Sequence, residues 1–190
     1  IQDPTNPNRF SVAQALVINV SLGGRDMGLA VLRDIATNPD DSHSAVAMAI
    51  LLLHGTEEDG DTLLPKIREL SQDSNHPDQV AFARLLLQKG NQKDKEEAFS
   101  IFRDIAKKKE NPHYREAAFD LYDSPDEDDK KIAQEIIEVT LNDPGHPQYL
   151  AAVSTVLNND ADPSESIFLK LMPAFSLQDN FQNARLLSKM

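Results

Sequence analysis

Four histidines recur along the chain, His43, His76, His113 and His146, and imidazoles are the commonest metal ligands. Zinc would need them to converge within about 2.1 Å of one point. Residues repeated along a stack of similar units stand apart by roughly 10 Å. The histidines therefore read as turn residues, and no metal site is expected. The acidic run "DSPDEDDKK" from Asp123 has the charge for calcium. It lacks the alternating ligands and central glycine of an EF-hand loop, and acids there also favour the N-terminal dipole of a following helix. A third candidate is the basic series Arg33, Arg68 and Arg103, each followed by an acid, Asp34, Glu69 or Asp104. It could read acidic ligands. The commoner reading is a solvated face with ion pairs within and between repeats, each worth well under ~1 kcal/mol.

No catalytic constellation emerges. The chain has no GxGxxG, phosphate-loop, GxSxG or HExxH motif. With no cysteine it has no disulfide, thiolate nucleophile or Cys-type zinc site. The expectation is a non-enzyme without cofactors. Ser124-Pro125 and the sequon Asn19-Val20-Ser21 are short patterns that carry little weight alone.

Composition narrows the partners. The 190 residues are 40% apolar and 26% charged, which suits a globular domain. A net charge of −12 repels phosphate backbones and anionic bilayers, so neither nucleic acid nor membrane is expected as a partner. No apolar run reaches the ~20 residues that span a bilayer. Ile1 in place of an initiator methionine suggests a processed or excised chain, and cytoplasm and periplasm both suit it.

The elements that position these residues come from a repeat. The stretches "AVLRDIA" from Ala30, "PKIRELS" from Pro65, "SIFRDIA" from Ser100 and "EIIEVTL" from Glu135 start 35 residues apart. They align Leu32, Ile67, Phe102 and Ile137 in one apolar column, and Ile35, Leu70, Ile105 and Thr140 in another. Met172 and Phe175 hold those columns in a worn fifth copy. The other half of each unit aligns Phe82, Ala117 and Ala152, then Ala83, Ala118 and Val153, then Leu86, Leu121 and Val156. With Gln79/Tyr114/Tyr149 and Leu87/Tyr122/Leu157, these columns give the i, i+3, i+4, i+7, i+8 stripe of an amphipathic helix. Ala47, Met48, Leu51 and Leu52 repeat it one period earlier. Pro77, Pro112 and Pro147 stand where the first helical residue is expected, with Asn111 as an N-cap.

Each unit is thus two short antiparallel helices, and such pairs bury their apolar faces only by stacking. The expected organisation is a mobile lead-in at 1–9 and one helical-repeat domain at 10–190. Within it lie a leading helix at 10–24, repeats at about 27–60, 61–95, 96–130 and 131–165, and a worn repeat at 166–190.

The stretch "AFARLLLQKGNQKDKEEAFSIFRDIAKKKENP" resembles the tetratricopeptide-repeat superfamily, including its Sel1-like branch. Ala83 and Leu86, Gly90 and Asp94, Ala98, Phe102 and Ala106, and Pro112 carry the likeness, over about residues 27–180. The usual Trp and Leu-Gly pair are missing. The resemblance implies an all-α, right-handed α-solenoid of stacked antiparallel helix pairs with a 35-residue period. It also implies a protein or peptide partner on a concave face lined by the post-proline helices. Pentatricopeptide repeats share the period but bind RNA, which the acidic charge disfavours.

On those helices two columns change character between copies: Ala45, Val80, Arg115 and Leu150, and Ala49, Arg84, Phe119 and Ser154. Val80, Arg84, Arg115, Phe119 and Leu150 are the candidate partner-binding residues, since arginine and aromatics are enriched in interface hot spots. The competing readings are a structural segment of a longer solenoid or a repeat protein that self-associates through the N-terminal helix "VAQALVIN", and an enzyme on a helical-repeat scaffold.

Overall fold

The computed structural model of the chain describes residues 3, 6–19, 23–38 and 40–159. Among them the backbone forms nine helices and no strand, so the all-α class holds. They are α1 (Arg9–Ile18), α2 (Arg25–Thr37), α3 (Ser44–His54), α4 (Glu57–Gln72), α5 (Gln79–Lys89), α6 (Gln92–Ala106), α7 (Tyr114–Leu121), α8 (Glu127–Leu141) and α9 (Tyr149–Asn159). The worn repeat expected at 166–190, with Met172 and Phe175, lies outside the described residues.

Two compact units divide the chain, residues 1–98 and 99–190, with the division inside α6. In the first, consecutive helices α1 to α5 pack on one another, and α3 also touches both α1 and α5. In the second, α7 packs on α8, α8 on α9 and α7 on α9.

One turn opens every odd-numbered helix. The backbone N–H groups of Arg9, Ser44, Gln79, Tyr114 and Tyr149 donate to the carbonyls of Asn6, Asp41, His76, Asn111 and His146 at 2.9–3.1 Å. The same five acceptors also take, through their side chains, the N–H two residues on. Asn8 donates to Asn6 Oδ1, His43 to Asp41 Oδ1 and His113 to Asn111 Oδ1, each at 2.9 Å. Asp78 donates to His76 Nδ1 and Gln148 to His146 Nδ1, each at 3.1 Å.

Asn8, His43, Asp78 and His113 have φ between −94° and −99° and ψ between 3° and 17°, as the third residue of a type I turn does. Pro77, Pro112 and Pro147 therefore hold the second turn position, two residues before the helix, and not the first helical position. A fixed φ near −65° suits both places. The hydrogen bonds to His76, Asn111 and His146 assign the turn. Asn111 accordingly closes the turn, where sequence alone made it the helix cap. Asn6, Pro7 and Asn8 form the same turn inside the expected lead-in.

Even-numbered helices start differently. Thr56 and Asp59 form a reciprocal capping box at α4, with Thr56 N–H donating to Asp59 Oδ2 at 2.8 Å. Asn91 and Asp94 repeat it at α6: Asn91 N–H to Asp94 Oδ2 is 2.8 Å and Asp94 N–H to Asn91 Oδ1 is 3.1 Å. At α8 the Ser124 hydroxyl donates to Asp129 Oδ2 at 2.8 Å and accepts from Asp126 N–H at 3.2 Å. Gly55 and Gly90 make room for the first two boxes: a Cβ on Gly90 would lie 2.3 Å from Asp94 Cβ.

The expected apolar columns form the core. Leu32 and Ile67 in the first unit are fully buried, as are Phe82, Ala83 and Leu86. In the second unit Phe102, Ile137, Ala117, Ala118, Leu121, Ala152, Val153 and Val156 are buried. Leu52, Leu87, Tyr122 and Leu157, at the edge of the stripe, are half-buried. Burying each large side chain stabilises by about 1.5–3 kcal/mol, so these columns dominate the energetics.

Candidate functional site

The arginine column is built into the fold. Arg33 on α2 grips Asp59 on α4, Nε to Oδ1 at 2.6 Å and Nη2 to Oδ2 at 2.9 Å. Arg68 on α4 grips Asp94 on α6 the same way, at 2.5 and 2.9 Å. Arg103 on α6 takes Asp129 on α8, with Nη2 to Oδ2 at 2.7 Å and Nε donating to Oδ1. Each acid is the third residue of an even-numbered helix and is buried. The sequence put Asp34, Glu69 and Asp104 beside these arginines, and the structure gives the arginines these more distant acids.

Electrostatics follow from that geometry. The Arg33 hydrogen bonds hold the Asp59 carboxyl far below the usual carboxylate range, against the opposing effect of burial. Arg68 does the same for Asp94. Burial pushes Asp129 up most strongly, and hydrogen bonds from Arg103 and Ser124 together bring it down. Carboxylates locked this way are acceptors and hold no proton to transfer near neutral pH. A cavity of about 330 Å³ beside the first pair is lined by Arg33, Asp59, Leu51 and Leu63 among others.

The five candidate partner-binding residues fall on three helices. In the first unit Val80 and Arg84 lie one turn apart on α5; Val80 is 4% exposed and Arg84 half-buried. In the second, Arg115 and Phe119 lie one turn apart on α7, both half-buried, and Leu150 is half-buried on α9. The Arg115 guanidinium carbon stands 4.6 Å over the Tyr114 ring, and its Nε is buried with no hydrogen-bond partner. Val80 is packed inside, so as it stands only the other four offer surface.

The remaining candidates disperse. Among the described residues no three His, Cys, Asp or Glu side chains gather as a metal ligand set. Asp126 caps α8, accepting from Asp128 N–H at 2.8 Å, while Lys130 and Lys131 pair with Glu127 and Asp128. No helix among the described residues is long and apolar enough to cross a membrane. On α1, Val12 and Ile18 are 43% and 50% exposed, although the column mates of Val12 (Ala47, Phe82, Ala117 and Ala152) are buried.

Sequence reasoning missed the pairing of Asp59, Asp94 and Asp129 with the arginines, although Asp94 already stood among the residues that carry the family likeness. Their signal was present: three acids 35 residues apart, two of them three residues after a capping Thr or Asn. No protein-family model, curated protein or solved structure matches this chain.

Proposed function

We propose that the chain is a non-catalytic scaffold or adaptor of the tetratricopeptide-repeat type, a right-handed α-solenoid with a 35-residue period that binds a protein or peptide on its concave face. The observation that carries the reading is the contrast between framework and face. The turn, the capping acid and the Arg–Asp pair recur with little change. The half-buried positions Ala49, Arg84, Phe119 and Ser154 change from small to cationic to aromatic to polar. The buried column Phe82, Ala117 and Ala152 changes in size but stays apolar, whereas the half-buried column changes in charge and polarity, which a recognition surface can use. Phe119 and Arg115, adjacent on α7, would supply the anchor.

Replacing Phe119 by Asp tests the reading. Partner binding should fall at least about tenfold with helical content retained, the loss of one hot-spot side chain. Unfolding of the variant would place Phe119 in the core and contradict the face.

A second reading, self-association through α1, is favoured by the exposure of Val12 and Ile18. Sedimentation across a wide concentration range tests it. A monomer throughout contradicts it.

A further inference from the structure

In the first copy of the turn Phe10 on α1 lies against His43, ring centroids 4.5 Å apart and planes 25° from parallel. The same two places one copy on are held by Ala45 and Asp78, and neither carries a ring. Both residues line a cavity of about 340 Å³ in the first unit. Space that an aromatic pair fills in one copy is open in the next.

The lining has two parts. Met48 and Phe82 are almost wholly buried yet border the cavity with Leu70, so its floor is apolar. Asp40, Asp41 and Asp78 are exposed or half-buried and form an acidic rim. Two basic groups also face it. Lys66 Nζ donates to the Ala36 carbonyl at 3.2 Å, and His76 Nδ1 accepts from Asp78 N–H while its ring meets Phe82 edge-on at 5.1 Å. Among the described lining residues Lys66 is the one permanent cation for three carboxylates; His43 stands 3.2 Å from Asp41 and His76 4.0 Å from Asp78, in a chain already carrying −12.

We propose that this cavity takes an arginine side chain from the protein partner, a deepening that rests on the adaptor reading above. The aliphatic stem of such a residue covers an apolar floor while its head stays at a polar rim. A planar guanidinium also matches carboxylates in pairs, which a lysine ammonium does not. The acidic rim selects a basic peptide over an acidic one.

The test is a titration of the whole chain with the peptide acetyl-Ala-Arg-Ala-amide, read by backbone amide chemical shifts, against the same peptide carrying neutral citrulline. Saturable shifts at Asp40–Ser44, Asp78 and Phe82, at least about tenfold weaker with citrulline, are expected. Ala45→Phe should abolish them by filling the gap as Phe10 does, and Asp78→Asn should weaken them without adding bulk. Absence of shifts with the arginine peptide, or equal response to citrulline, overturns the pocket whatever the adaptor result. Selection of peptides from a random library separates the two claims. Arginine-free peptides held equally by wild type and Ala45→Phe overturn the pocket and leave the adaptor reading standing.

Discussion

Arg68 and Asp94 meet through two guanidinium nitrogens and both carboxylate oxygens, although 26 residues separate them in the chain. The side chain of Asp94 is 3% exposed and that of Arg68 36%. The carboxylate has thus given up its water, while the guanidinium keeps part of its own. The same acid accepts the N–H of Asn91, so one side chain both starts α6 and ties it to α4.

Removing either end should cost differently from removing an ordinary surface pair. Arg68→Ala leaves a buried carboxylate with fewer donors and should destabilise by roughly 2–4 kcal/mol. Arg68→Lys keeps the charge but not the fork, and should recover less than half of that loss. Urea unfolding of the three proteins measures it. A loss under about 0.5 kcal/mol for Arg68→Ala would reduce the pair to the rank of an exposed one.

Acid should weaken the fold through the same residues. Asp59, Asp94 and Asp129 are all held below the ordinary aspartate value. Their contribution is therefore fully present above the unfolded-state pKa near ~3.9, and is lost as pH falls through the lower folded-state values. Stability from these groups should be flat between about pH 5 and 7 and fall below about pH 4. Asp94→Asn should be less stable at neutral pH and show a shallower decline in acid. Parallel pH profiles for the variant and wild type would contradict this.

Two glycines should respond in opposite senses to alanine. At Gly90 the new Cβ would lie 2.5 Å from the Leu86 carbonyl oxygen and closer still to Asp94, so Gly90→Ala should cost about 1–3 kcal/mol. At Gly60, inside α4, a Cβ meets nothing within 4 Å. Gly60→Ala should stabilise by about 0.5–1 kcal/mol. Thermal unfolding of the pair decides it, and a neutral Gly90→Ala would show that the capping box can shift to make room.

Much of the helical layout was legible in the sequence because apolar periodicity is a local signal. Phe82 and Leu86, or Ala117 and Leu121, announce a buried stripe whatever they pack against. The Arg–Asp pairs were not legible, since Arg33 has Asp34 as its sequence neighbour while Asp59, its partner, is a fold-level neighbour. Prolines were half legible: Pro77 marks a helix start, but a type I turn and a first helical residue accept the same φ. Val80 shows the same limit at the site. Its column alternates with Arg115 and Leu150, which suggested surface, while its own place on α5 is packed.

The measurement that bears most directly on the adaptor reading is capture of partners from the native cell extract by the purified chain, beside a Phe119→Asp/Arg84→Glu bait of equal helical content. The reading predicts a specific protein retained by the first and lost from the second, which a binding assay with the purified pair then confirms. Equal recovery on both baits, or no specific protein on either, would contradict partner binding through this face.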